Sequence, residues 1–171
     1  MKILISPAKS LDFDSNIGSL ECTQPVFLNK TSQINSVLKE KSPKDLMQLQ
    51  GISQKLSDLN WKRNNDYVNN HNDKNSRPAV FAFNGDVYNG IDVKTLSEDK
   101  VYDLQKSLRI LSGYYGVLKP LDLIQPYRLE MAFKFNINQT TSSLYDFWVN
   151  IITSHIVKNC KNELLINLAS N

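Results

Sequence analysis

Four polar clusters interrupt the apolar runs of this 171-residue chain. Ser6-Pro7-Ala8-Lys9 and Asn84-Gly85-Asp86-Val87-Tyr88 each follow directly on a run that reads as a strand. Lys119-Pro120-Leu121-Asp122 and Gln125-Pro126-Tyr127-Arg128-Leu129-Glu130-Met131 are dense in functional groups beside apolar residues. Loops at strand ends are where α/β proteins build sites. Lys9, Lys119 and Arg128 are therefore candidates to line a cationic cleft, with Asp86 and Glu130 as counter-charges and Tyr88 beside them. A buried lysine with a lowered pKa can act as base or nucleophile. The same residues also suit buried ion pairs that fix irregular loops. Other chemistries find no support. His71 and His155 supply no nucleophile–base–orienter triad, and His155 lies on an apolar helical stripe and reads as core. Neither GxxxxGK[ST] nor GxGxxG occurs. There is no HxxxH or CxxC spacing, and nothing in the spacing of Asp86, Asp122 and Glu130 demands a cation. No metal and no cofactor are expected.

A second pattern lies in Leu46-Met47-Gln48-Leu49-Gln50-Gly51-Ile52-Ser53-Gln54-Lys55-Leu56-Ser57-Asp58-Leu59. Apolar residues three apart precede a Gly–apolar–small tripeptide, a lysine follows, and apolar residues three apart resume. The layout resembles the helix-hairpin-helix motif of non-specific DNA-binding proteins. Such a turn aims amides without intrahelical partners at one phosphate. Lys55 adds a point charge. The contact positions a backbone and reads no bases. Ser53 stands where a second glycine is usual, and Gln50 where a proline is. An ordinary helical hairpin that packs Leu49, Ile52 and Leu56 into the core fits the same residues. Lys62 and Arg63 extend the basic stretch. Lys39 to Arg63 carries six basic and three acidic side chains, an excess equal to the whole net charge of +3. A local basic patch attracts phosphates even on a nearly neutral protein.

The elements that must position these groups alternate. Lys2–Ser6 reads as a buried strand, Ser6–Asn16 as an irregular loop, and Val26–Lys41 as an amphipathic helix. Ser42-Pro43 starts a second helix that stops at Gly51. A third starts near Ser53 and should bury Leu56, Leu59 and Trp61. Asn64–Ser76 reads as a loop, Pro78–Phe83 as a strand, Leu96–Ser107 as a helix and Leu108–Gly113 as a strand. Tyr114–Leu121 reads as a structured loop, Tyr127–Phe135 as an extended strand, Ser143–Lys158 as a helix and Glu163–Ala169 as a final strand. The alternation predicts an α/β fold: a mixed sheet surrounded by helices, with a helix-hairpin-helix element near residues 43–63, in a single domain spanning residues 1–171. Hydrophobic residues at 41% exclude disorder throughout, and no apolar run is long enough to cross a membrane. Two cysteines, Cys22 and Cys160, make no disulfide framework and read as reduced thiols in a cytoplasm.

The runs ILISPAKSLDF (from Ile3), RPAVFAFNGDVYNGID (from Arg77), LRILSGYYGVLKPLDLIQPYRLEM (from Leu108), LYDFW (from Leu144) and NLASN (from Asn167) resemble the YaaA family of peroxide-stress proteins. The resemblance covers the whole chain in order. It implies a mixed α/β fold with a helix-hairpin-helix and a positive cleft. It implies a cytoplasmic bacterial protein that protects against hydrogen peroxide by limiting free iron and oxidative DNA damage, in a family associated with DNA binding. Carried over by position, the hairpin maps to Gly51, Ile52, Ser53 and Lys55. The cleft maps to Lys9, Asp86, Tyr88, Lys119, Arg128 and Glu130. The family continues past NLASN into a Lys/Arg-rich segment, so this chain is expected to lack part of the sheet and of the cleft.

The leading expectation is a protein that holds duplex or branched DNA through backbone phosphates, with little sequence preference, using Gly51, Ile52, Ser53, Lys55, Lys62 and Arg63. The alternative is an enzyme acting on nucleic acid or a nucleotide in the cationic cleft, with Lys9 or Asp86 as the reactive group. Direct iron binding ranks below both, because no ligand cluster is present.

Overall fold

The computed structural model describes residues 1–18, 20–160 and 162–170. Its elements run β1 (Lys2–Ile5), β2 (Ser10–Leu11), α1 (Leu28–Lys39), α2 (Pro43–Gln50), α3 (Gln54–Asp66), β3 (Arg77–Pro78), α4 (Ala79–Ala82), β4 (Phe83–Asn84), α5 (Asp86–Ile91), α6 (Glu98–Ser107), β5 (Leu108–Ser112), β6 (Gly116–Leu118), β7 (Leu123–Ile124), α7 (Leu144–Asn159) and β8 (Leu165–Asn167). The main sheet has the order β6-β5-β1-β8. Strands β5 and β8 flank β1 in parallel, whereas β6 returns antiparallel to β5. Ile5 faces Ile110 across the β1–β5 ladder, and both are buried. Two small ladders, β2–β4 and β3–β7, lie outside this sheet. The architecture is the mixed α/β one expected from the alternation of apolar runs.

Local chemistry accounts for the helix boundaries. Ser42 caps α2 through a capping box with Asp45, and Pro43 takes the first helical position. Gly51 closes α2 in the left-handed region at φ 60°, where a side chain would be strained. Ser53 then caps α3, its hydroxyl accepting from the Leu56 amide at 3.4 Å. Ser143 caps α7 by accepting from the Asp146 amide at 3.1 Å.

Four expectations are corrected. Leu56, Leu59 and Trp61 do not enter the core; they are about two-fifths exposed. Helix α3 instead buries Ser57, Asn60 and Asn64. The Ser57 hydroxyl donates to the Pro43 carbonyl, and the Asn35 amide donates to the Asn64 carbonyl at 3.1 Å. Small and polar groups let α3 approach α2 and α1 closely, so hydrophobic spacing points the wrong way. Pro78–Phe83 is not one strand. The helical turn α4 separates β3 from β4, and the Ala79 and Val80 amides bond the Asp122 and Pro120 carbonyls at 2.9 Å. A fully buried apolar run of this length does not distinguish strand from helix. Within Tyr114–Leu121, strand β6 forms a hairpin with β5, its turn held by Ser112, whose Oγ accepts from the Tyr114 and Tyr115 amides at 3.1 and 3.0 Å. Tyr127–Phe135 joins no ladder, and a turn bonds the Phe133 amide to the Glu130 carbonyl at 3.1 Å.

Candidate functional site

Parallel pairing brings the carboxyl ends of β1, β5 and β8 to one edge of the sheet. Beyond β1 lies Ser6-Pro7-Ala8-Lys9. Beyond β8, the Ser170 amide donates to Ser6 Oγ at 3.0 Å. The β2–β4 ladder pairs Ser10 with Asn84, which holds the Asn84–Tyr88 turn against the same loop. Tyr88 secures it further by donating from its hydroxyl to the Ser6 carbonyl at 2.9 Å. Beyond β5, Gly113 lies directly under the 129–131 backbone. A Cβ there would sit 2.9 Å from the Leu129 oxygen and the Met131 nitrogen, closer than atoms pack. Only glycine permits this approach, which carries Arg128 and Glu130 to the edge.

Glu130 joins the cations. Its Oε2 lies 3.0 Å from Lys9 Nζ and its Oε1 3.5 Å from Arg128 Nη2. The Lys9 side chain is 64% exposed and the Arg128 side chain 17%, so the first pair is heavily screened by water and the second less so. The end of α2 joins the same group, since Gln50 Nε2 donates to the Arg128 carbonyl at 3.1 Å. Arg63, on α3, is half-buried. Burial first, and repulsion from the Arg128 guanidinium second, push its pKa down. The Arg63 guanidinium stays protonated at neutral pH even so. Lys9 and Arg128 thus meet at one carboxylate, and Arg63 lies close enough to Arg128 to feel its charge, an arrangement that favours anions.

The family model described as peroxide stress protein YaaA matches residues 1–171. The chain belongs to this family. A UPF0246 protein of Flavobacterium psychrophilum is 49% identical over 172 residues, covering 100% of this chain and 68% of the relative. A second from Flavobacterium johnsoniae is 48% identical with the same coverage. A third from Alcanivorax borkumensis is 43% identical over 174 residues, covering 67% of its own length.

Within this YaaA-family chain, the other residues singled out from sequence fall into three places. Asp86 is exposed at the start of α5, two residues after Asn84, which pairs with Ser10. Tyr88 is buried, and burial pushes its phenol well above the usual range, so its role at the edge is to hold the loop. Lys119 follows β6, whose antiparallel return sets Leu118 opposite Ile110 and carries Lys119 back towards the start of β5. There its amide donates to Asp122 Oδ2 at 2.8 Å. Gly51, Ser53, Lys55 and Lys62 are exposed along the α2–α3 turn and α3, and Ile52 is half-buried. Gln50, which links that turn to Arg128, carried no sequence signal except that it replaces the usual proline. Asn171, at the end of NLASN, lies outside the described residues. Among the described residues no three His, Cys, Asp or Glu side chains gather to hold a metal ion. No helix among them is long and apolar enough to cross a membrane.

Proposed function

We propose that this peroxide-stress family member binds DNA non-specifically through backbone phosphates and so helps limit iron-dependent oxidative damage to it. The observation that carries the reading is the Gln50–Arg128 hydrogen bond. It ties the end of α2 to Arg128, which shares Glu130 with Lys9 and whose charge acts on Arg63, so the helix-terminal amides are linked to a group of cations. The α2–α3 pair acts here as a helix-hairpin-helix: the left-handed Gly51 and the Ser53 cap set the turn, and the first amides of α3 face a phosphate beside Lys55. Duplex and branched DNA are both suitable partners, and the site of action is the cytoplasm.

The test is fluorescence anisotropy of a labelled duplex titrated across salt concentrations. Affinity should fall steeply with salt, because each neutralised phosphate releases counterions. Lys55→Glu and Arg63→Ala should each weaken binding to unrelated sequences equally and flatten the salt slope. Salt-independent binding, or a loss confined to one sequence, would count against the reading.

A second reading is supported by a different observation: beyond the carboxyl ends of parallel strands, where open α/β sheets bind ligands, Ser170 bonds Ser6 and the Ser10–Asn84 pair holds together the loops that carry Lys9 and Asp86. In it, the cluster turns over a nucleic acid or a nucleotide. Turnover abolished by Lys9→Ala in a folded chain would favour it. An inert response across nucleotides and oligonucleotides would remove it.

A further inference from the structure

The interior holds a network of phenols that neither reading uses. Tyr114, Tyr115 and Tyr127 pack together with ring centroids 5.0 to 5.3 Å apart. Tyr67 joins Tyr114 edge-on at 5.7 Å. From Tyr127 the contacts continue through Phe83, at 6.3 Å, to Tyr88, at 5.2 Å from Phe83. Tyr88 bonds the Ser6 carbonyl at the cationic edge. The aromatic rings therefore connect that edge to the centre of the molecule.

Hydrogen-bond partners separate these phenols chemically. The Tyr114 hydroxyl donates to Asn35 Oδ1 at 2.8 Å, that of Tyr67 to Asn69 Oδ1 at 3.4 Å, and that of Tyr88 to a backbone carbonyl. None of these acceptors is basic. Tyr127 meets Ser112 Oγ at 2.7 Å. Both Ser112 lone pairs already accept amides, so Ser112 donates and offers Tyr127 no base. Tyr115 differs. Its oxygen accepts the Gln125 amide at 3.0 Å and lies 3.1 Å from His71 Nε2. The hydroxyl proton needs an acceptor in a site where Tyr115 is 0% and His71 4% exposed, and Nε2 is the one at hand. His71 Nδ1 faces the Asn69 carbonyl at 3.4 Å, which takes the Nδ1 proton and leaves Nε2 as a lone pair. Burial favours the neutral imidazole. Tyr115 is thus the phenol in this network that points its proton at a base.

We propose that Tyr115 and His71 form a proton-coupled one-electron redox site, which receives oxidising equivalents through the aromatic network. A one-electron oxidant removes an electron from Tyr115 and is itself reduced by one electron. The O–H bond of Tyr115 breaks and an N–H bond forms at His71 Nε2. The products are a neutral phenoxyl radical and an imidazolium that keeps its Nδ1–H bond to Asn69. A small reductant such as ascorbate returns the electron, and the proton goes back from Nε2 to the phenol oxygen. Deprotonation before oxidation is closed, because burial holds the Tyr115 phenol far above its usual pKa. The proposal does not depend on DNA binding.

The experiment is flash oxidation of the full 171-residue chain by photogenerated tris(bipyridine)ruthenium(III), with freeze-quench EPR and ENDOR on protein carrying ring-deuterated tyrosine and nitrogen-15 histidine. The expected product is a tyrosyl radical coupled to a histidine nitrogen. Tyr115→Phe should abolish the coupled component and leave an uncoupled radical on exposed Tyr145. His71→Gln should slow formation of the interior radical by about 10²-fold or more, the usual worth of a positioned base. A radical without histidine coupling in the unsubstituted chain would overturn the proposal, as would coupling that persists in Tyr115→Phe. Where either variant fails to fold, the coupling in the unsubstituted chain decides alone, because the other histidine, His155, packs against Phe27.

Discussion

Glu130 holds Lys9 and Arg128 at the sheet edge and also neutralises part of their field. Its side chain is one-third exposed, so the pairs contribute little to folding. Glu130→Gln should change unfolding free energy in urea by less than about 1 kcal/mol. The same substitution leaves Lys9 and Arg128 uncompensated, so duplex affinity at low salt should rise several-fold and fall more steeply with salt. A loss of affinity would mean that Glu130 orients the cations more than it screens them. Asp122 is the opposite case, a carboxylate whose burial pushes its pKa up to about 6. Because the folded value lies above the unfolded one, the protonated form stabilises the fold. That stability is complete below about pH 4 and is lost as pH rises through 6, a change on the order of 3 kcal/mol. The Asp122 carboxyl carbon should titrate near pH 6 by NMR, and Asp122→Asn should cost more stability at pH 4 than at pH 7. These residues also mark how far sequence reaches. Lys9 is readable as a strand-end group because Ser6-Pro7 ends an apolar run. Lys119 also stands beside apolar residues, yet the turn at Ser112–Gly116 sends it back towards the start of β5. Nothing local to Lys119 encodes that reversal.

At the scale of elements, α2 and α3 are readable from Ser42, Pro43, Gly51 and Ser53, because caps act within one turn of chain. The face that α3 buries is not readable. Its inward residues Ser57, Asn60 and Asn64 are those a hydrophobicity pattern assigns to solvent, and their fit depends on the Pro43 carbonyl of α2 and the Asn35 side chain of α1. Two substitutions separate the cases. Ser57→Leu should destabilise by about 1–3 kcal/mol, since Ser57 is fully buried against the Pro43 carbonyl and added methyl groups overpack the contact. Leu59→Gln should stay within about 0.5 kcal/mol, because Leu59 is 42% exposed. Thermal melts of the two variants give the comparison. Equal losses would show that α3 is held by its apolar face after all.

At the scale of the molecule, the strand order β6-β5-β1-β8 makes β1 the shared element, a fact that alternation of strands and helices along the chain does not contain. Strand order depends on which apolar strips meet in space, and β1, β5 and β8 offer similar strips. The order has a consequence for local stability. Strand β5 is laddered on both sides, to β1 and β6, and its inward residues are buried. Strand β8 is laddered to β1. Leu165 is 41% exposed and Leu168 65%, and Val157 on the preceding helix is 65% exposed. Amides open most easily where few apolar contacts close over them. The Leu168 amide bonds the Leu4 carbonyl at 2.8 Å, so it is protected only while β8 stays docked. Native-state hydrogen exchange should therefore show Leu168 and the β8 amides exchanging through a local opening well below the global unfolding free energy. The β5 amides should exchange only through global unfolding. Equal protection of the two strands would mean that the ion pairs of Glu163 with the amino terminus and Lys2, at 2.6 and 3.2 Å, hold β8 more firmly than its exposure implies, and Glu163→Gln would then release it.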